Sequence, residues 1–142
     1  DGATRKIDEA LDAKKAVNIV YVYRDPMDSL VAGMAGRTGG GGVLTRAQGS
    51  GRVVPVTAHA TTHAGSADTI KRLAVHYEDN PAVSIRVIDN NYGKQKAAAA
   101  TLDDIPDLDY NEIYEGSMDA IEKAFAQNEI SERIYKGLKG IF

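Results

Sequence analysis

Val17-Asn18-Ile19-Val20-Tyr21-Val22-Tyr23 is the stretch from which the fold follows. All of it except Asn18 is β-branched or aromatic, so it reads as a strand buried on both faces and needing cover on two sides. Before it, Ile7, Ala10, Leu11 and Ala13 recur at helical spacing, predicting an amphipathic helix from Thr4, its N-cap, to Ala16, with Lys14 and Lys15 suited to the dipole at its end. After it, Arg24-Asp25-Pro26 turns the chain. Asp25 is a candidate N-cap with Pro26 at the first helical position, and the helix they open is expected to run to about Ala35. A second strand is expected over Ala82–Ile88, bounded by Asn80-Pro81 and Asp89-Asn90-Asn91.

Between the two strands the sequence predicts a long loop from Gly36 to His59, a short helix over Val56–Thr62, and a longer one capped by Ser66 and running through Ile70, Leu73, Ala74 and Tyr77. Downstream, Ala97–Leu102 reads as a short turn of helix, Tyr110 to about Gln127 as an amphipathic helix, and Ser131–Leu138 as a last helical turn or two. Helices alternating with strands define an α/β domain with a parallel sheet. Two buried parallel strands do not make a stable sheet alone. Either further strands come from an N-terminal half before Asp1, since Asp1-Gly2-Ala3-Thr4-Arg5-Lys6 is expected to be neither a signal peptide nor a natural start, or one of the two is misread. The expected division is an α/β domain over 1–105, with its loop at 36–59, and a helical tail over 106–142.

The 142 residues suffice for a sizeable core, and 43% hydrophobic with 26% charged residues is an ordinary globular balance. A net charge of −3 argues against a nucleic-acid footprint, so any anion must be met locally. With no cysteine, disulfides, thiolate metal sites and cysteine nucleophiles are excluded together, and a cytoplasmic location is expected. No apolar run reaches the length of a membrane span.

The loop carries the strongest chemical signal. Arg37, Arg46 and Arg52 stand on a glycine-rich segment with almost no carboxylates, and guanidinium forks match phosphate oxygens. No Walker sequence cradles a phosphate: the run Gly39–Gly42 lacks the lysine followed by Ser or Thr, and so does Gly93-Lys94-Gln95. His59 and His63 would share a helical face as two zinc ligands do, but the glutamate of a hydrolase signature is missing and no third ligand is evident, so no metal site is assigned. Asp1 is placed at the tip of a presumed strand, at the edge where open α/β sheets hold ligands. Asp89 and Asn90 end the other strand at that edge, where turn formation is the simpler role. Asp103, Asp104, Asp107 and Asp109 form a solvated, helix-starting acidic stretch.

In order, these motifs resemble the C-terminal half of a zeta-toxin-type kinase, a P-loop family that phosphorylates a hydroxyl of UDP-N-acetylglucosamine. The resemblance spans about Asp1–Asn90. It rests on Asp1-Gly2-Ala3-Thr4-Arg5, the strand Val17–Tyr23, Arg24-Asp25-Pro26, and Arg37 with Arg52-Val53-Val54-Pro55-Val56-Thr57-Ala58-His59. The resemblance implies a three-layer P-loop kinase-like fold, ATP and magnesium as cofactors held with an upstream half, and a nucleotide sugar as substrate. An antitoxin-like protein partner is also implied. Arg37 and Arg52 would meet the γ-phosphate and the transition state, Arg46 with Arg52 would bind nucleotide, and Asp1, Ala3 and Arg5 would face the substrate. Ala3 departs from the family's common threonine. The alternative is a catalytically inert α/β interaction module of a larger plasmid or phage protein, docking a partner through its helical tail.

Overall fold

The computed structural model describes residues 2–34, 41–91 and 97–141. Asp1, Arg37, Gly39, Gly40 and the Gly93-Lys94-Gln95 stretch lie outside them. The first helix, α1 (Gly2–Asp12), starts before the expected cap Thr4, so Gly2 to Arg5 are helical rather than the end of a strand. It stops short of Ala16 because Lys14 adopts φ 61°. The Lys14 and Lys15 amides then donate back to the Leu11 and Ala10 carbonyls, the closure a left-handed residue permits.

Strand β1 (Val17–Tyr23) pairs in parallel with β2 (Val83–Asp89), in register from Val17 opposite Val83 to Tyr23 opposite Asp89. The third strand, β3 (Ala98–Ala100), lies antiparallel to β2 in the sheet order β1-β2-β3. It occupies part of the segment expected to be helical at Ala97–Leu102. Alanine prefers helix locally, but the pairing of Ala100 with Val87 and of Ala98 with Asp89 decides the outcome. A short 3₁₀ helix (Leu102–Asp104) follows, boxed by Thr101 and Asp104.

The expected burial of β1 on both faces is corrected. Ile19, Tyr21 and Tyr23 pack with Ile85 and Val87 against Ala67 and Ile70, and Val17 and Val83 pack against Ile7, Leu73 and Tyr77. The helices carrying those partners cover one face; on the other, Val20 and Val22 are 54% and 55% exposed.

The β1–β2 crossover contains α2 (Pro26–Val31), α3 (Val43–Ser50) and α4 (Val56–His76). Asp25 caps α2 as expected, its Oδ1 accepting from the Met27 and Asp28 amides at 2.9 and 3.1 Å. The long loop predicted over 36–59 is replaced across eight residues by α3, because Val43, Leu44 and Ala47 form an apolar stripe that is buried. Gly51 at φ 75° ends it. Ser66 is no cap: α4 is one continuous helix of 21 residues, held along its length by Val56, Ala60, Ala67, Ile70 and Leu73.

The main core joins Leu30, Met34, Leu44 and Val56 to Ile121 and Ala124 of α5 (Tyr110–Ala126) and Ile134 and Leu138 of α6 (Glu132–Leu138). Asp109 and Ser131 cap these last two helices by accepting from the Glu112 and Ile134 amides. The protein is therefore α/β with a small mixed sheet. Among the described residues no helix is long and apolar enough to cross a membrane.

Candidate functional site

Parallel pairing in this register brings the ends of β1 and β2 side by side, at the edge where open α/β sheets place ligands. The Asn90 amide donates to the Tyr23 carbonyl at 2.7 Å, and the Asp25 amide donates to Asn91 Oδ1 at 2.6 Å, locking the two strand ends together. Asp89 accepts from the Asn91 amide at 2.8 Å, which is the turn-forming role expected of it. Arg24 pairs with Asp28 at 2.5 Å, both side chains largely covered.

Two histidines of α4 close this edge. His59 is buried, with Nε2 2.9 Å from the Pro26 carbonyl, so that nitrogen is the donor and Nδ1 is left as an acceptor. His63 stands one turn on with its ring centroid 4.5 Å away, as the four-residue spacing predicts. Burial lowers the pKa of His59, an effect opposed by the hydrogen bond to Pro26. Burial and then the neighbouring His59 push His63 down to about 4, against the attraction of Asp25. Both rings are thus neutral near pH 7. The Tyr23 phenol is pushed up by burial first, then by Asp25, Tyr21 and Asp89. The edge therefore presents neutral imidazoles and a protonated phenol beside Asp25 and Asp89, groups that can hydrogen-bond a hydroxyl. Among the described residues no three histidine or carboxylate groups cluster as a metal site.

The predicted cations sit elsewhere in the crossover. Arg46 is exposed on α3, and Arg52 is exposed just beyond the Gly51 cap. Ser50 links them, its hydroxyl donating to the Arg46 carbonyl at 2.7 Å and accepting from the Arg52 amide at 3.4 Å. Ala3 and Arg5 belong to α1: Ala3 packs beside Ile7, Leu73 and Tyr77, and Arg5 pairs with Glu9 at 2.9 Å. Asp1 and Arg37 lie outside the described residues. Sequence reasoning missed Tyr23 as a site residue, although its place at a strand end was visible; only the register shows that it faces Asp89.

No family model matches the chain, and no curated protein is significantly similar to it.

Proposed function

We propose that this chain is the lid and acceptor side of a zeta-toxin-like phosphotransferase, which moves a phosphoryl group from ATP to a hydroxyl of a nucleotide sugar or similar metabolite. The observation that carries the reading is the state of β1. Among the described residues it is the outer strand of the sheet, its sequence free of charge and proline, with Val20 and Val22 exposed. Edges in natural sheets are ordinarily guarded by charge, proline or cover, and parallel strands are ordinarily buried on both sides. A P-loop half adding its strand at β1 would complete a three-layer sheet of the expected kind.

ATP supplies the phosphoryl group when bound, and magnesium and the Walker lysine belong to that other half. The exposed guanidinium groups of Arg46 and Arg52 suit phosphate oxygens by charge and geometry. Arg52, with Arg37, would neutralise charge gathering on the migrating group. At the strand edge, Asp25, Asp89 and the neutral His63 would position the acceptor hydroxyl, whereas Ala3 and Arg5, which the resemblance sets toward the substrate, lie on α1, Ala3 against Leu73 and Tyr77 and Arg5 paired with Glu9. A cytoplasmic location and an antitoxin-like partner go with this reading. The alternative, an inert interaction module docking through its tail, has less to work with, because α5 and α6 bury Ile113, Ile121, Ala124, Ile134 and Leu138 within the chain itself.

The test is phosphoryl transfer from labelled ATP to UDP-N-acetylglucosamine by the native polypeptide that contains this sequence. Transfer is expected to fall roughly a thousandfold in Arg52→Ala, with nucleotide binding largely kept. A native polypeptide that neither binds Mg-ATP in calorimetry nor transfers phosphate would sink the reading.

A further inference from the structure

The turn carrying Arg52 meets a helix that lies about eighty residues further along the chain. Gly137 of α6 is buried, and a Cβ there would stand 2.9 Å from Val53 Cγ1, so only glycine lets the Gly51–Val53 turn settle this closely. The same approach lays the Arg133 guanidinium over Gly51, with Nη2 3.3 Å from where a Cβ on that glycine would be. Between turn and helix is a cavity of about 360 Å³, lined by Gly51, Val53, Arg133, Lys136, Gly137 and Ile141.

Its walls are mainly apolar, from Val53 and Ile141, and its rim is cationic. Arg133 and Lys136 line it, and the exposed Arg52 sits between two lining residues. Lys136 has Glu132 at 3.1 Å, but that pair is solvent-exposed and easily displaced. Ile141 is half exposed at the mouth, and the chain as a whole carries a charge of −3, so this local excess of cations stands against the general balance.

We propose that the pocket between the Gly51–Val53 turn and α6 binds a small phosphate-bearing molecule with an apolar or aromatic body. The phosphate would rest on Arg133 and Lys136, and the body on Val53 and Ile141. Forked guanidinium donors favour phosphate, and the volume lies in the range of small-molecule sites. The proposal deepens the phosphotransferase reading, since the pocket adjoins the turn that carries Arg52, and its test is read on binding alone.

The chain is titrated at low salt with phenyl phosphate, inorganic phosphate, phenol and a phosphoserine peptide, followed by calorimetry and amide NMR. Phenyl phosphate is expected to bind more tightly than inorganic phosphate and phenol, with shifts at Gly51, Val53 and Gly137. Arg133→Ala should weaken it roughly tenfold or more, and Arg133→Lys should weaken it less. Lys136→Ala gives a second, independent loss. Binding unchanged in Arg133→Ala, or equal for phenyl phosphate and inorganic phosphate, overturns the proposal, and tighter Arg133-dependent binding of the phosphopeptide overturns it in favour of a protein ligand. Phosphoryl transfer by a parent chain that binds no phenyl phosphate would remove the pocket and leave the kinase reading, whereas Arg133-dependent binding without transfer would do the reverse.

Discussion

Replacing Gly42 by alanine tests how the crossover is closed. Gly42 is buried at the start of α3, with φ −76° and ψ 178°, a conformation alanine adopts freely, so any cost is steric rather than conformational. An added Cβ would stand 2.7 Å from the Ala32 nitrogen, 2.8 Å from the Leu30 oxygen and 2.9 Å from the Ser29 oxygen. All three are backbone atoms. They cannot swing aside as a side chain would, because the Ala32 amide is bonded to the Asp28 carbonyl and its carbonyl accepts from Gly42 itself at 3.0 Å. Relief requires α3 to move off α2, loosening Leu44 and Ala47 in the core, at a cost of about 2–4 kcal/mol. For a chain of this size that is a fall in Tm on the order of 10 °C. Gly65 provides the opposite case: it lies within α4 with nothing near a new Cβ, so Gly65→Ala should stabilise by about 1 kcal/mol. Urea unfolding followed by circular dichroism compares the two. A Gly42→Ala protein as stable as its parent would refute the close seating of α3 on α2.

Two further outcomes follow from buried polar groups. His63 has a folded pKa of about 4 against an ordinary 6.5, so its contribution to stability is complete above 6.5 and is lost as the pH falls toward 4. Since the ring is not fully enclosed, the loss should total no more than about 2 kcal/mol, and His63→Gln should flatten that part of the stability–pH curve; a curve equally steep in the variant would contradict the assignment. Ser117 is fully buried on α5, and its hydroxyl has no hydrogen-bond partner among the described residues. Ser117→Ala should therefore raise stability by about 1 kcal/mol in thermal unfolding, and a clear loss would show that the hydroxyl is engaged.

Local chemistry was enough for the elements whose stabilising contacts lie close in sequence. The β-branched and aromatic runs mark β1 and β2, Asp25-Pro26 starts α2, and the apolar spacing of Ile113, Met118, Ile121 and Phe125 marks α5. The four-residue spacing of His59 and His63 likewise put them on one face. Other features depend on partners far along the chain, and no local pattern contains them. Alanines that favour helix become β3 because β2 offers a ladder, and a glycine-flanked segment becomes α3 because its short apolar stripe meets α2 and the core that α5 and α6 complete. Ser66 is passed over as a cap because α4 is held on both sides of it. The bare face of β1 and the approach of Arg133 to Gly51 are of the same kind: pairing, cover and proximity are properties of the folded chain, set by which distant surfaces lower their free energy by meeting.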